Sequence, residues 1–265
     1  MARISSRWLL WYTPALGAVV VSGVFAAGFW LALRGGAGAP LGDPPPPPAK
    51  PKRIVPSSGQ RLVLVLGDSL ARGTGDENGR GFAGDIEEFL RRRGKIELVN
   101  LGVNGAESDE VRQAAESHNV RTLAASADWI LVSAGGNDLS HALPRSMGPS
   151  AQTIEEIDRA RQRYLANLRL ILSALREANA TAPIYLIGLY DPFGEEGAAA
   201  RIGSSVILSW NTAAQETVLS FPRVLLVPTF DLFAGRPERL AGDHFHPNRK
   251  GYEAIAQRIE QLLPE

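Results

Sequence analysis

Four short stretches, widely separated in the chain, carry side chains able to act as nucleophile, base and hydrogen-bond donor. They are Gly67-Asp68-Ser69-Leu70, the stretch NLGVNGAES from Asn100 to Ser108, AGGNDLS from Ala134 to Ser140, and DHFHPN from Asp243 to Asn248. A serine hydroxyl is a poor nucleophile near neutral pH until a base accepts its proton, and a neutral imidazole, with an ordinary pKa of about 6.5, suits that task. Together the four stretches hold a serine, a glycine turn, an asparagine and an Asp-x-x-His pair, which are the parts of a hydrolase. Each part also has an ordinary structural use. Ser69 could cap a helix, Gly105 could supply a positive φ, Asn137 or Asp138 could close a turn, and His246 could be a surface histidine beside a proline-started helix.

The elements that must position these residues are visible as alternating patterns. Short apolar runs read as strands at Leu62 to Leu66, Ile96 to Leu101, Trp129 to Ser133, Ile184 to Leu189 and Val224 to Phe230. Between them, Phe82 to Arg93 reads as a helix stopped at Gly94, and Ser108 to Ala125 as one broken helix or two short ones. Thr153 with Glu156 forms a capping box, after which Ile154, Ile157, Tyr164, Leu168, Ile171 and Leu175 make a core-facing stripe. The last helix repeats that spacing with Tyr252, Ile255, Ala256 and Ile259. Near-continuous apolar strands separated by helices imply a parallel sheet covered on both faces, a three-layer α/β/α domain. Ligands bind such sheets beyond the carboxyl ends of the strands, where all four stretches lie.

The four stretches, in this order, resemble the blocks of the SGNH hydrolases, the GDSL esterases and lipases: Ser69 in GDSL, Gly105 in NLGVNG, Asn137 in GGND and His246 in DHFHPN, with Asp243 three residues before the histidine. The resemblance runs from about Arg61 to the C-terminus and implies a flavodoxin-like five-stranded parallel sheet. It assigns Ser69 as nucleophile, His246 as base and Asp243 as the carboxylate that orients it. The chemistry of the three agrees, since a carboxylate on the far ring nitrogen fixes the tautomer and stabilises the imidazolium. The backbone N–H groups of Ser69 and Gly105 and the Asn137 amide are then the oxyanion donors, with Gly105 chosen from the family's pattern after strand two. Two departures stand out. Ala106-Glu107 replaces a Thr or Ser common in relatives, and His244 stands where glycine is frequent.

Other chemistries fit less well. Asp243, His244 and His246 have ligand-type side chains, but a metal site needs at least one more protein ligand, and His118 and His141 offer no spacing for it. GDSLARGTGDENGRG lacks both the G-x-G-x-x-G spacing and the P-loop lysine, so no nucleotide site is expected. Ala71 stands where the nucleophile elbow G-x-S-x-G needs its second glycine. No metal and no cofactor are expected. The chain contains no cysteine, which excludes disulfides and thiolate chemistry. Six of its 28 basic residues and one of its 28 acidic ones lie before residue 54, leaving 22 basic against 27 acidic in the body. A net of minus five argues against nucleic acid as a partner, which would call for a concentrated basic face.

Trp8 to Leu33 has no charge over 26 residues. At about 1.5 Å per residue it exceeds the roughly 30 Å hydrocarbon core of a bilayer. Trp8, Trp11, Tyr12 and Trp30 sit where interfacial aromatics belong. The run reads as an uncleaved transmembrane anchor rather than a signal peptide, because it is long, Arg34 interrupts it and Pro40 follows the small residues Ala37-Gly38-Ala39. The expected organisation is a cytoplasmic tip and anchor (1–34), a Gly/Pro-rich tether (35–60) and a hydrolase domain (61–265). The sum is a single-pass, membrane-tethered, extracytoplasmic bacterial serine esterase acting on small-molecule, lipid or glycan esters, with no obligate protein partner. A carbohydrate O-acetyl esterase of envelope glycans and a non-catalytic envelope binding protein are the alternatives. Leu139 to Gln152 and Asp191 to Ser205 are the loops expected to line the pocket.

Overall fold

In the computed structural model, residues 59–143, 151–193 and 197–264 are described. Five strands, Arg61–Gly67 (β1), Ile96–Gly102 (β2), Trp129–Ser133 (β3), Ile184–Ile187 (β4) and Val224–Val227 (β5), form one parallel sheet in the order β2-β1-β3-β4-β5. Leu62 to Leu66 have no exposed surface, as an apolar run covered on both faces requires. The pleat divides them. Leu62, Leu64 and Leu66 enter a core with Ser108–Glu116 (α3), His118–Ser126 (α4), Ala151–Ala178 (α6) and Ala198–Val218 (α7). Val63 and Val65 enter a second core with Ser69–Arg72 (α1), Gly81–Arg91 (α2), Phe230–Phe233 (α8) and Arg249–Glu260 (α9). Gly136–Ala142 (α5) follows β3, and a 3-10 turn spans Pro237–Arg239.

The strand order runs outward from β1 to β2 and then returns to β3 on the other side. The gap between the carboxyl ends of β1 and β3 is therefore the topological switch point, where open α/β sheets bind ligands. Ser69 follows β1 and Asn137 follows β3, so the order itself brings two of the four stretches together.

Several elements differ from the sequence reading, each for a local reason. β4 stops at Ile187, because beyond it the Asn211 side chain bonds both the N–H and the C=O of Leu189 at 2.8 Å, standing in for a neighbouring strand. β5 stops at Val227; Phe230 opens α8, and the Thr229 hydroxyl donates to Gly188 O (2.7 Å). Ser108 to Ser126 is two helices, broken where Ser117 leaves helical geometry and caps α4 through Val120 N–H. α6 begins at Ala151, so Thr153 lies in its first turn and not at a cap. Its 28 residues, about 42 Å of helix, exceed a seven-residue strand of about 23 Å, and the overhang leaves Ile154 65% exposed while Tyr164, Leu168, Ile171 and Leu175 are buried. α7 starts at Ala198, inside the segment expected to be a loop up to Ser205. Among the described residues no helix is long and apolar enough to cross a membrane. The Trp8 to Leu33 run and the tether lie outside the described residues.

Candidate active site

The turn after β1 shows what each letter of GDSL does. Gly67 passes so close to β3 that a Cβ there would lie 2.3 Å from the Ser133 carbonyl and hydroxyl oxygens. Asp68, not Ser69, caps α1: its Oδ1 accepts Leu70 N–H (2.9 Å) and the Ser133 hydroxyl (2.7 Å). Ser69 is the first residue of α1, so its hydroxyl is not spent on capping. It is 8% exposed, and its Oγ lies 2.9 Å from His246 Nε2. Leu70 turns into the neighbouring cleft.

His246 arrives on the loop before α9. Pro247 bridges to Leu240, Ala241 N–H donates to His246 O (2.7 Å), and the helix that follows starts at Arg249 with Asn248 as its cap. Asp243 folds back on this loop: Oδ1 accepts the N–H groups of Phe245 (3.0 Å) and His246 (2.9 Å), and Oδ2 accepts His246 Nδ1–H (2.6 Å). A carboxylate at Nδ1 leaves Nε2 as the acceptor for the Ser69 hydroxyl. Partial burial works to raise the Asp243 pKa, but the bonds from His246 and the two backbone N–H groups outweigh it and hold the carboxyl below its ordinary value. The Tyr190 hydroxyl donates to Phe245 O (2.7 Å), pinning the loop from β4. His244 has φ 56°, the left-handed region, which explains why a glycine suits this place.

Asn137, in the first turn of α5, donates one amide hydrogen to Ala106 O (2.8 Å). That fixes the amide plane and leaves its second hydrogen for another acceptor. One residue on, the buried Asp138 carboxylate accepts both the hydroxyl and the backbone N–H of Ser108, the latter at 2.9 Å, and Asn167 of α6 donates to the same Ser108 oxygen (3.0 Å). Two links thus hold the turn after β2 against the start of α5. Gly105, with φ 78°, is exposed, and its neighbour Ala106 carries the carbonyl that accepts the Asn137 amide. Glu107 caps α3 reciprocally with Glu110 and meets His141 Nδ1 at 2.5 Å.

Asp68, Ser69 and Asn137 border a small cleft of about 70 Å³ whose other walls are mainly apolar, Leu139 and Leu143 on one side and Leu189, Phe193 and Ile207 on the other. Burial pushes the Asp68 carboxyl up, against the bonds from Ser133 and Leu70 that favour its charged form. Asp138 is raised by burial too, against its bonds from Ser108. Both ring nitrogens of His246 are engaged, and among the described residues no cluster of three His, Asp or Glu side chains is placed to hold a metal ion.

Residues 65–254 match the profile of the GDSL-like Lipase/Acylhydrolase family. The chain belongs to that family. Its members are carboxylic ester hydrolases, and this GDSL-family enzyme is one. A curated relative, YpmR of Bacillus subtilis, is 28% identical over 208 residues, covering 76% of this chain and 81% of its own. The crystal structure of the lipase Lip_vut3 from a goat rumen metagenome superposes with a TM-score of 0.65 at 22% identity, covering 76% of this chain and 96% of the lipase. A catalytic mutant of Axe2, an acetylxylan esterase from Geobacillus stearothermophilus, superposes at 0.58 with 18% identity, covering 78% and 94%. At those identities the two structures establish the shared fold.

Three groups in the GDSL-family enzyme escaped the sequence reading. Asp68 carries a usable signal, a short acidic side chain directly after a strand, which is where caps occur. Tyr190 also follows a strand, β4, but an aromatic residue there gave no chemical cue. The Ser108–Asp138–Asn167 cluster has no local signature, because its members are 30 and 59 residues apart.

Proposed function

We propose that the chain hydrolyses carboxylic esters through an acyl-Ser69 intermediate, and the observation that carries this reading is the continuous relay from Ser69 Oγ to His246 Nε2 (2.9 Å) and from His246 Nδ1 to Asp243 Oδ2 (2.6 Å). The Ser69 proton passes to Nε2 as Oγ bonds to the ester carbonyl carbon. Asp243 stays ionised and stabilises the imidazolium. Negative charge gathering on the carbonyl oxygen is received by the free hydrogen of the Asn137 amide and by the N–H groups of Ser69 and Gly105, each such donor contributing about 2.7 to 4 kcal/mol to the transition state. The imidazolium returns its proton to the departing alkoxide. Water then repeats the sequence on the acyl-serine, releasing the acid and restoring Ser69.

The test is hydrolysis of 4-nitrophenyl esters by the purified protein. Ser69→Ala and His246→Ala should each lower kcat by about 10³-fold or more. Hydrolysis that persists in Ser69→Ala would overturn the reading, and a protein inert toward every ester would favour the non-catalytic binding role. Tethering to a membrane with the enzyme body outside remains part of the proposal, supported by the apolar run of Trp8 to Leu33. Protease cleavage of the Pro44 to Pro48 segment from outside intact cells is its test, and full protection would remove it.

A further inference from the structure

The cleft beside Ser69 has a wall with an unusual amount of dedicated support. Phe193 N–H donates to Asp191 Oδ1 (3.0 Å), and the other oxygen of that buried carboxylate accepts the Ser204 hydroxyl of α7 (2.6 Å). Beside Ser204, a Cβ on Gly203 would lie 2.5 Å from Phe193 Cε2, 2.7 Å from Cδ2 and 3.0 Å from Cζ, so the phenyl ring lies directly against the backbone of α7. Glycine is among the poorest residues for the interior of a helix. Here it makes room for an aromatic ring. One turn later Ile207 lines the same cleft, and Asn211 fastens Leu189, which also lines it, by two bonds of 2.8 Å.

We propose that Phe193, seated on Gly203 and fastened through Asp191 to Ser204, is the residue that sets acyl-chain length, closing the cleft so that it accepts short acyl groups and refuses fatty ones. This rests on Ser69 being the nucleophile. The cleft's volume of about 70 Å³ lies well below the roughly 300 to 1,000 Å³ of pockets that enclose drug-sized ligands. Since about 10 to 15 Å³ of such space holds one water, the cleft accommodates about five to seven water-sized groups. An acetyl or propanoyl group is of that size, whereas an octanoyl chain is not. Its apolar walls suit an alkyl group, which gives up no hydrogen bond on entering, and Asp68, Ser69 and Asn137 supply polar atoms to its lining.

The experiment measures kcat/KM for 4-nitrophenyl acetate, butanoate and octanoate with the full chain, and reads ratios between esters, which do not depend on the fraction of folded protein. The unmodified enzyme should favour acetate over octanoate by tenfold or more. Phe193→Ala should raise the octanoate-to-acetate ratio at least tenfold. Gly136→Ala should act in the opposite sense. A Cβ there meets only Asp68 Oδ2 and Leu189 Cδ2, each at 3.8 Å, so it fills cleft space without a clash and should lower the butanoate-to-acetate ratio several-fold. An unmodified enzyme that prefers octanoate, or an unchanged ratio in Phe193→Ala, overturns the proposal. Ser69→Ala measured alongside separates the two readings: activity surviving in it removes the mechanism and this inference together, while Ser69-dependent activity with unmoved ratios removes this inference alone.

Discussion

Two regions meet at Ser69, and their carboxylates are treated in opposite ways. On the His246 side, Asp243 is half-exposed, accepts three hydrogen bonds and is held below its ordinary pKa. On the sheet side, Asp68 and Asp138 are buried, and burial pushes both upward. A low pKa suits a group that must stay charged while a neighbouring imidazole takes up a proton. A raised one costs stability at neutral pH, and what it supplies in return is geometry. Asp68 fixes the turn that presents Ser69, and Asp138 fixes the turn after β2 against Asn137. One residue type thus supplies charge in one region and position in the other, according to its solvent access.

The contrast can be broken from either side. The largest effect is expected from Asp243→Asn, which should lower kcat by about 10³- to 10⁴-fold with little change in thermal midpoint, because the wrong tautomer is held in otherwise intact geometry. Steady-state kinetics with a melting curve on the same sample check this. Asn137→Ala should lower kcat by about 10²- to 10³-fold with KM nearly constant, since in the proposed mechanism its free amide hydrogen acts on charge present only in the transition state. On the sheet side, Asp138→Ala should mainly destabilise, by about 1 to 3 kcal/mol in denaturant unfolding, because the buried Ser108 N–H loses its acceptor.

The two regions should also separate with pH. Asp243 has a depressed folded pKa, so its contribution to stability is full above the unfolded value of about 3.9 and is lost as pH falls through the lower folded value. Asp68 has a raised folded pKa, so the folded state binds its proton more tightly than the unfolded chain. Its contribution to stability is full below about 3.9 and declines as pH rises through the folded value. Asp68→Asn keeps an acceptor for Leu70 N–H and removes the titration, so the gain of the variant over the unmodified protein should grow from pH 4 to pH 8 in melting curves. A gain independent of pH would show that Asp68 is not the group being desolvated. The smallest effect is expected at His244. Replacing this left-handed residue with glycine should stabilise by about 0.5 to 1 kcal/mol, a shift of roughly 1 to 4 °C in Tm.

What the sequence disclosed follows the same division. Ser69 and Asn137 were legible because each follows a strand, and strands buried on both faces announce themselves as apolar runs such as Leu62 to Leu66; the Asp243–His246 pair, beyond α8 and a 3-10 turn, was legible from its own three-residue spacing. Their supports were not, because Asp68 meets Ser133 across 65 residues and Asp138 meets Ser108 across 30. A pairing of that length leaves no periodic trace. α7 was partly hidden for a different reason: Gly203, Ser204 and Ser205 read as loop, and only the ring of Phe193 against Gly203 shows why a helix tolerates them. The ends of β4 and β5 were overestimated because Asn211 of α7 takes a neighbouring strand's place against Leu189, and because Thr229, inside the run read as strand five, spends its hydroxyl on Gly188 O just before α8 begins.

The Ser69–His246 contact joins residues 177 positions apart. A chain still being synthesised can therefore form β1, β2 and β3, and with them the capped serine and both flanking turns, long before its base exists. Closing so long a loop is slow compared with local folding. Activity then reports on the docking of the final segment, and in refolding its recovery should trail the return of helical signal. Until Asp243 to Pro247 is seated against α1, the molecule is a nearly finished scaffold holding an inert alcohol.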